Sequence, residues 1–376
     1  MKTAGEKIVH IPNYYPPHIG GIEDVCHSIV SALPDFQHQV ICFHNQKTTQ
    51  RDIYEGIPVT RSSVWKKLFS QSISFSFYTE LKRIFKEFDP DIVHFHTPNP
   101  LSSVYVLMLL PKKTKLIVHW HSDIIAQDRL YLFYQWVEKR LLKRADKIIM
   151  TSPTYLSGSK ALQAWKDKLQ VIPNTVNTDK LQKKEGDEEA IAAIRNLYKG
   201  KKIIFTFGRH VPYKGIKYLI EAAPLISEDA VIVIAGSGPL TDELKSRSTA
   251  SSSIHFIGRL SDDALRHYLY ASDVFAFPSI TRNEAFGIAL AEAMYCGLPA
   301  VTFTIPDSGV NWVSINGETG LESENGNVGA LAEAINKLLE DNALRTRLGK
   351  NASERVREQF TSDAIKEDLI LLYKDF

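Results

Sequence analysis

The chain is predicted to be an α/β protein with two parallel-sheet domains facing each other across a central cleft. Three observations predict this. Short, continuous apolar runs recur from end to end: KIVHI, HQVICF, DIVHFH, KLIVHW, KIIMTS and LQVIP, then KIIFTFG, AVIVIAG, SIHFIG, DVFAFPS and LPAVTF. Such runs fit strands buried on both faces of a parallel sheet. Longer amphipathic stretches lie between them, among them SFSFYTELKRIFKEF and LYLFYQWVEKRLLKRA, and strand–helix alternation argues for helices on both faces of each sheet. The alternation breaks once, over 173–200, where PNTVN is followed by the charged segment KLQKKEGDEEAIAAIRNLYKG. The division expected is a first domain over 1–172, a linker over 173–200 and a second domain over 201–360. The segment TSDAIKEDLILLYKDF, 361–376, forms a last amphipathic helix with Ser362 or Asp363 near its cap.

Length and composition bound the function. A chain of 376 residues supports two domains with ample cores. Its 44% hydrophobic and 23% charged residues are ordinary for a soluble globular protein. Cys26, Cys42 and Cys296 each stand in apolar surroundings without a C-x-x-C pair, which suits buried thiols in a reducing compartment. Lys2, Glu6 and Lys7 interrupt any apolar leader, and no run approaches the roughly 20 apolar residues of a membrane span. A cytoplasmic location is expected. Up to Ile172 there are 22 Lys and Arg against 15 Asp and Glu, and the remainder carries 23 against 28. The basic first half suggests an anionic partner. Nothing points to nucleic acid. An anionic membrane surface is a candidate, because Trp65–Phe69, the aromatic run SISFSFY and Lys112, Lys113 and Lys115 could dock on it.

The most informative pair is Glu284 and Glu292, with seven residues between them in NEAFGIALAEAMYCGLPAV. A carboxylate is costly to bury without a partner, so two in an apolar stretch imply a polar ligand. Pro278–Ser279 breaks the chain before them, and Gly287 precedes the helical run IALAEAMYC. Glu284 is therefore expected in the loop and Glu292 on the helix, with Phe286–Gly287–Ile288 forming the turn. The free N–H groups and positive end of that helix favour phosphate. Carboxylate, phosphate-binding turn and carboxylate would read sugar, diphosphate and ribose in order.

Other segments add weaker signals. Gly208–Arg209 and Lys214–Gly215 follow the strand KKIIFTF and suit a diphosphate, Arg as a planar fork and Lys as a point charge. Gly20–Gly21 opens a helix after a Pro-rich turn, which allows a close backbone approach to a ligand. Neither this pair nor Gly236–Ser237–Gly238–Pro239 matches the dinucleotide fingerprint, so a nicotinamide oxidoreductase is poorly supported. His94 with His96, and His119 with His121, each share a strand face. No acidic or thiol ligand stands at metal spacing, and His121 at a strand end suits a hydrogen bond to a substrate.

These residues resemble the retaining glycosyltransferases of family 4, which have the two-domain GT-B fold with Rossmann-like domains. The resemblance spans the chain through GGIE, DPDIVHFH, HWHSD, KIIMTS, VIPNTVNTDKL, FGRHVPYKG, IAGSGP, FIGRLSDDAL, FPSITRNEAFGIALAEAMYCGLPAV and NGETGL. It implies that Arg209 and Lys214 hold the diphosphate and stabilise the departing nucleotide, so that no metal or other cofactor is required. It implies that Glu284 contacts the donor sugar, that the backbone at Phe286, Gly287 and Ile288 meets sugar and phosphates, and that Glu292 binds the ribose. Gly20 and Gly21 would let the first domain close on the diphosphate, and His121 would lie near the reacting centre. Gly258, Arg259 and Leu260 would border the nucleobase. The last helix would cross back to the first domain. Two positions depart from the family pattern: Thr175 stands where Gly is usual and Asn177 where Asp is usual. The segment IPDSGVNWVSINGETG also differs from the commoner version that carries a glutamate, and resembles a subgroup that builds cell-surface polysaccharides such as O-antigen or capsule.

The expected reaction is transfer of a hexose, with retention, from a UDP-hexose or GDP-mannose to a glycan or lipid-linked glycan. Two rivals remain open at this level. One is another GT-B enzyme, a nucleotide-sugar epimerase or a phosphorylase. The other is a non-catalytic partner that binds nucleotide sugar.

Overall fold

A computed structural model describes residues 5–18, 20–68, 71–124, 128–249 and 251–375. Of the aromatic–basic stretch Trp65–Phe69, Phe69 and the side chains of Lys67 and Leu68 lie outside the described residues. The chain divides into two units: Met1–Thr175 with Ile365–Phe376, and Val176–Ala364.

The first unit carries ten strands: β1 (Lys7–Ile11), β2 (Gln37–Phe43), β3 (Gln50–Tyr54), β4 (Ile57–Ser62), β5 (Lys66–Leu68), β6 (Gln71–Ile73), β7 (Ile92–Thr97), β8 (Lys115–Trp120), β9 (Lys147–Met150) and β10 (Leu169–Val171). Eight of them form one sheet in the order β10-β9-β8-β7-β1-β2-β4-β3, and β5 pairs with β6 as a hairpin. The sheet is parallel except for β3, which runs antiparallel to β4 at the edge. Strand order reverses between β1 and β7, where a doubly wound sheet leaves a crevice at its carboxyl end. The two loops leaving that point are tied together, since Asn13 Nδ2 donates to the carbonyl of Pro98 at 2.9 Å.

The centre of this sheet holds a row of buried histidines. His10, His38, His94, His96, His119 and His121 lie on or at the ends of β1, β2, β7 and β8, none more than 7% exposed. The period-two spacing places each pair on one face, and the rings stack: His94 on His96 at 4.7 Å between centroids, His119 on His121 at 4.1 Å. Hydrogen bonds fix part of the proton pattern. His38 Nε2 faces the carbonyl of Leu33 at 2.8 Å and must donate. Its Nδ1 therefore accepts from His10 Nε2 at 3.1 Å. His94 Nε2 meets His119 Nδ1 at 3.2 Å, and His96 Nδ1 meets His121 Nε2 at 3.0 Å. Two buried groups, His94–His96–His119 and His10–Cys26–His96, bring ligand atoms within metal-binding range of one another. The planes of His94 and His96 are 13° apart and those of His96 and His119 27°, so their lone pairs run side by side rather than toward one centre.

The second unit carries β11 (Lys202–Arg209), β12 (Ala230–Ser237), β13 (Ile254–Gly258), β14 (Val274–Phe277), β15 (Ala300–Phe303) and β16 (Gly320–Ser323). They form one sheet, β13-β12-β11-β14-β15-β16, with every pairing parallel. This is the Rossmann order, and its reversal falls between β11 and β14. Apolar residues of both sheet faces and the flanking helices form one continuous core, from Ile203 and Phe205 to Leu348 and Val356.

The segment 173–200 is not a linker. Helices Thr178–Leu181 and Asp187–Leu197 occupy it, and Leu181, Ile191 and Tyr198 join the core of the second unit. The acids that gave it a solvated look are partly employed inside. Asp187 is 4% exposed and takes a bidentate pair from Arg266, at 2.7 and 2.9 Å, with His267 Nε2 at 2.7 Å. Hydrogen bonds from Arg266, itself 2% exposed, hold the Asp187 carboxyl well below the usual carboxylate range. The last helix, Ser362–Lys374, places Ile365, Leu369, Leu372 and Tyr373 in the first unit's interior, where the Tyr373 hydroxyl meets His94 Nδ1 at 2.6 Å.

Burial, reinforced by neighbouring rings, pushes the pKa of His94 down to about 3, and burial does the same to His121. The same causes lower His10, His96 and His119, and burial alone, against the Leu33 carbonyl, lowers His38. These rings stay neutral in the folded protein, whereas in the unfolded chain they take up protons below about pH 6.5. Stability is present above that pH and is lost as pH falls, by up to about 1.4 kcal/mol per pH unit for each such histidine. Urea unfolding between pH 8 and 5 should show a midpoint that drops steeply below 6.5. A midpoint independent of pH over that window would refute the assignment of neutral buried rings.

Candidate functional site

In the second unit the crevice lies at the carboxyl ends of β11 and β14. A small pocket there is lined by Gly208, Arg209, Lys214, Phe277, Pro278 and Ser279. The end of β11 delivers Arg209 to solvent. Its chain then turns through a short helical turn, Pro212–Lys214, and Gly215 ends that turn with φ 62°. A Cβ on Gly215 would lie 1.9 Å from the carbonyl oxygen of Pro278, so the β11 and β14 loops touch through bare backbone. The Gly236–Ser237–Gly238 stretch has a similar origin. A Cβ on Gly236 would fall 1.9 Å from the Gly208 carbonyl, and one on Gly238 2.5 Å from that of His210.

Lys214 points back over the sheet end. Its Nζ lies 5.0 Å from the Phe277 ring centre and forms an ion pair with Glu284 Oε2. The two side chains are 15% and 11% exposed. Burial acts to lower the Lys214 pKa, but Glu284 and Tyr213 outweigh it and the net shift is upward, so the ammonium stays charged. Ser279, 1% exposed, donates from Oγ to the same Glu284 oxygen at 3.2 Å. Glu284 stands in the loop after β14, and Glu292 stands half-buried on the helix Ile288–Tyr295. Gly287 caps that helix with φ 90°. The Phe286 side chain turns inward, 2% exposed, edge-on to Phe360 at 5.3 Å and Trp312 at 6.4 Å. What Phe286–Gly287–Ile288 offers outward is backbone N–H at a helix start.

Gly258, Arg259 and Leu260 lie at the neighbouring end of β13. Arg259 Nε donates to Ser237 Oγ, at the end of β12, at 2.7 Å. The second unit thus gathers Arg209, Lys214, Glu284, Phe286, Gly287, Ile288, Glu292 and the Gly258–Leu260 loop along one carboxyl edge of its sheet.

Gly20, Gly21 and His121 belong to the first unit, at the carboxyl edge of its sheet. Gly20 precedes the helix Gly21–Ala32, and Glu23 is the third residue of that helix. A Cβ on Gly20 would sit 2.3 Å from Glu23 Oε2, so the glycine leaves room for a carboxylate folded back over the helix start. Burial, against hydrogen bonds from the N–H groups of Glu23 and Tyr14, raises the Glu23 pKa to about 7. The sequence reading passed over Glu23. The signal was a glutamate three residues after the capping glycine. His121, 7% exposed, has Nε2 engaged by His96 and a buried Nδ1 with no hydrogen-bond partner among the described residues. Asp123 of the HWHSD motif is fastened by Trp120 Nε1 and Ser159 Oγ, each at 2.8 Å, and works as a structural anchor.

The positions that depart from the family pattern are accommodated locally. Thr175 is not among the described residues with positive φ, so this turn does not need glycine. Asn177 caps the helix Thr178–Leu181 by accepting from the N–H groups of Asp179 and Lys180, as an aspartate would.

Comparison with known proteins decides the family. The family described as "Glycosyltransferase Family 4" matches residues 19–180, and "Glycosyl transferases group 1" matches residues 187–355. The chain belongs to the family 4 glycosyltransferases. Among its relatives, the O-antigen chain mannosyltransferase C of Escherichia coli is 29% identical, over 98% of both chains. The D-rhamnosyltransferase WbpZ of Pseudomonas aeruginosa is also 29% identical, over 95% of this chain and 92% of that one. The solved structure of Anabaena Alr3699/HepE in complex with UDP and glucose superposes with a TM-score of 0.81. It is 19% identical and covers 99% of this chain and all of that one, 100%. The glycosyltransferase has the GT-B fold of two Rossmann-like domains, and the relatives connect it with polysaccharide synthesis.

Gly215 tests the loop architecture of this transferase. Gly215→Ala would meet both a left-handed backbone, about 1–3 kcal/mol on its own, and the Pro278 carbonyl. We expect a clear fall in the urea midpoint together with loss of nucleotide-sugar binding by calorimetry. A variant with wild-type midpoint and binding would refute the contact.

Proposed function

We propose that this glycosyltransferase moves a manno-configured hexose, with retention, from a GDP-linked donor to a lipid-linked glycan of an O-antigen-type polysaccharide. The observation that supports the donor-binding reading is the Lys214–Glu284 ion pair beside Arg209 at the β11–β14 crevice, with Glu292 on the helix that follows. The sugar is argued from relatives: a mannosyltransferase, a D-rhamnosyltransferase and a GDP-mannose-dependent enzyme of Corynebacterium glutamicum. A UDP-hexose is the second reading, favoured by the UDP and glucose bound in the Anabaena neighbour.

Arg209 and Lys214 would hold the diphosphate, with the N–H groups at Phe286–Ile288 completing its cradle. Lys214 is paired with Glu284, so donor entry would exchange one anionic partner for another. Glu284 would then turn its oxygens to sugar hydroxyls, and Glu292 would take the ribose. In the transfer the bond from the anomeric carbon to the phosphate oxygen breaks. A bond from the acceptor oxygen forms on the same face, and the acceptor proton passes to the leaving phosphate. The growing charge on that phosphate is stabilised by Arg209 and Lys214, which makes a metal unnecessary.

A thermal-shift screen across nucleotide sugars tests the donor, because a ligand raises the midpoint in step with its affinity. GDP-mannose should stabilise most; stabilisation by UDP-glucose alone would replace the first reading with the second. Lys214→Ala should lower kcat with little change in donor affinity, and Glu292→Ala should raise the donor KM. Full activity of Lys214→Ala at saturating donor would remove the diphosphate role.

A membrane-facing acceptor is favoured by the surface of the first unit. Trp65, Phe75, Met108 and Trp136 are 72%, 69%, 65% and 59% exposed. The Trp65 and Phe75 rings are 6.2 Å apart, and the Arg140 guanidinium lies 3.3 Å from the Trp136 ring centre. Lys66, Lys139 and Lys143 are exposed alongside them in sequence. Aromatic groups among cations suit an anionic lipid interface. No described helix is long and apolar enough to cross a membrane. Sedimentation with phosphatidylglycerol vesicles should be salt-sensitive and weakened by Trp65→Ala with Phe75→Ala. Binding unaffected by both salt and the double substitution would count against this face.

A further inference from the structure

The loop after β15 carries the subgroup segment IPDSGVNW, for which the donor reading has no role. It closes on the Glu284 loop from the other side. Asp307 takes a left-handed backbone, φ 57°, and the next residue, Ser308, is turned inward, 2% exposed. Ser308 Oγ donates to the backbone carbonyl of Glu284 and accepts from Val310 N–H at 3.2 Å. Asn311 pins the loop to the end of β15: its Oδ1 accepts from Ile305 N–H at 2.7 Å and its Nδ2 donates to the Phe303 carbonyl at 3.1 Å. One residue on, Trp312 packs edge-on against Phe286 and, at 5.3 Å, against Phe360. Arg355 donates to the carbonyls of Trp312 and Val313 at 2.8 and 3.0 Å and holds the tryptophan in place. Residues 308 and 312 thus grip residues 284 and 286, the two ends of the segment that turns from carboxylate to helix start.

We propose that Ser308 is a positioning residue for donor-sugar recognition: by holding the Glu284 carbonyl it sets where the Glu284 carboxylate meets the sugar. The proposal rests on the reading of Glu284 as the sugar contact. Lys214 and Ser279 both hold one carboxylate oxygen, Oε2, and both are side-chain contacts that donor entry can exchange. Ser308 holds the backbone, so its grip persists whichever partner the carboxylate has. Its grip falls at residue 284 itself, two residues ahead of the Phe286–Ile288 N–H groups read as meeting the diphosphate.

The test compares GDP-mannose with GDP by calorimetry for the wild type, Ser308→Ala and Glu284→Gln, with UDP-glucose and UDP substituted if the screen selects them. Ser308→Ala removes one hydroxyl and should leave the thermal midpoint nearly unchanged. We expect it to weaken GDP-mannose about tenfold, because the Glu284 carboxylate is no longer held in place for its hydrogen bond to the sugar, while GDP affinity stays within about twofold. Equal weakening of both ligands, or a large fall in midpoint, would make Ser308 a general structural residue and overturn the proposal. So would unchanged affinities in Ser308→Ala when Glu284→Gln does lose its preference for the sugar-bearing ligand. If Glu284→Gln itself treats both ligands as wild type does, the sugar role of Glu284 falls, and this proposal with it.

Discussion

A parallel sheet must return every strand by a crossover, so all its carboxyl ends open on one edge. That constraint governs the donor half of this protein. Because β11 leads to β12 on one side and β14 lies on the other, the loops leaving β11 and β14 diverge and a crevice opens between them. The second-unit residues of the proposed donor site lie on those two loops, on the helix that follows the β14 loop or at the adjacent end of β13. The close approach at Gly215 and Pro278 keeps the crevice narrow enough for Lys214 to reach Glu284. Chemistry carried on loops is here held to sheet precision, since backbone touches backbone.

The electrostatics follow from that geometry. Lys214 and Glu284 are each mostly withdrawn from water, and either alone would be costly to bury. Paired with Glu284, Lys214 stays charged. A diphosphate can replace the carboxylate on Lys214, and sugar hydroxyls can replace the ammonium on Glu284. On the proposed reading, a donor would meet charges whose desolvation is already offset by their mutual pairing. The first unit solves its polar burial differently. Its interior row of imidazoles stays neutral and passes hydrogen bonds from ring to ring, from Leu33 through His38 to His10 and from Tyr373 through His94 to His119. Such an array tolerates a dry interior only while no ring is protonated.

How much of this was legible depended on how local the signal was. All eleven apolar runs read as strands are strands, because a buried parallel strand announces itself by continuous apolar sequence. The edge strand QRDIY and its neighbour IPVTRS escaped, being polar, exposed in part and paired antiparallel at a sheet margin where no apolar run is needed. The glutamate pair, Gly287 and the cations after β11 were legible because each is a local break in an apolar pattern. The linker was misread for the reverse reason. KKEGDEEA has the composition of a solvated segment, and nothing local says that Asp187 meets Arg266, 79 residues away, in the interior. Ser308 and Trp312 were invisible for the same reason: their partners are distant in sequence and reached only through the fold.

Departures from a family pattern become informative once their partners are known. Asn177 for Asp is neutral because a cap needs only an acceptor, and the amide oxygen supplies it to two N–H groups. Asn311 is different. It stands in the segment whose commoner version carries a glutamate, and here it uses a donor and an acceptor together, Nδ2 on Phe303 and Oδ1 on Ile305. An ionised carboxylate is acceptor-only and could not make the first of these bonds. The amide thus commits this position to a structural task, fastening the loop that carries Ser308 to the end of β15. Ser308, on the same loop, holds the backbone of Glu284. The subgroup motif is best understood as a support for the loop that carries Glu284 and Phe286.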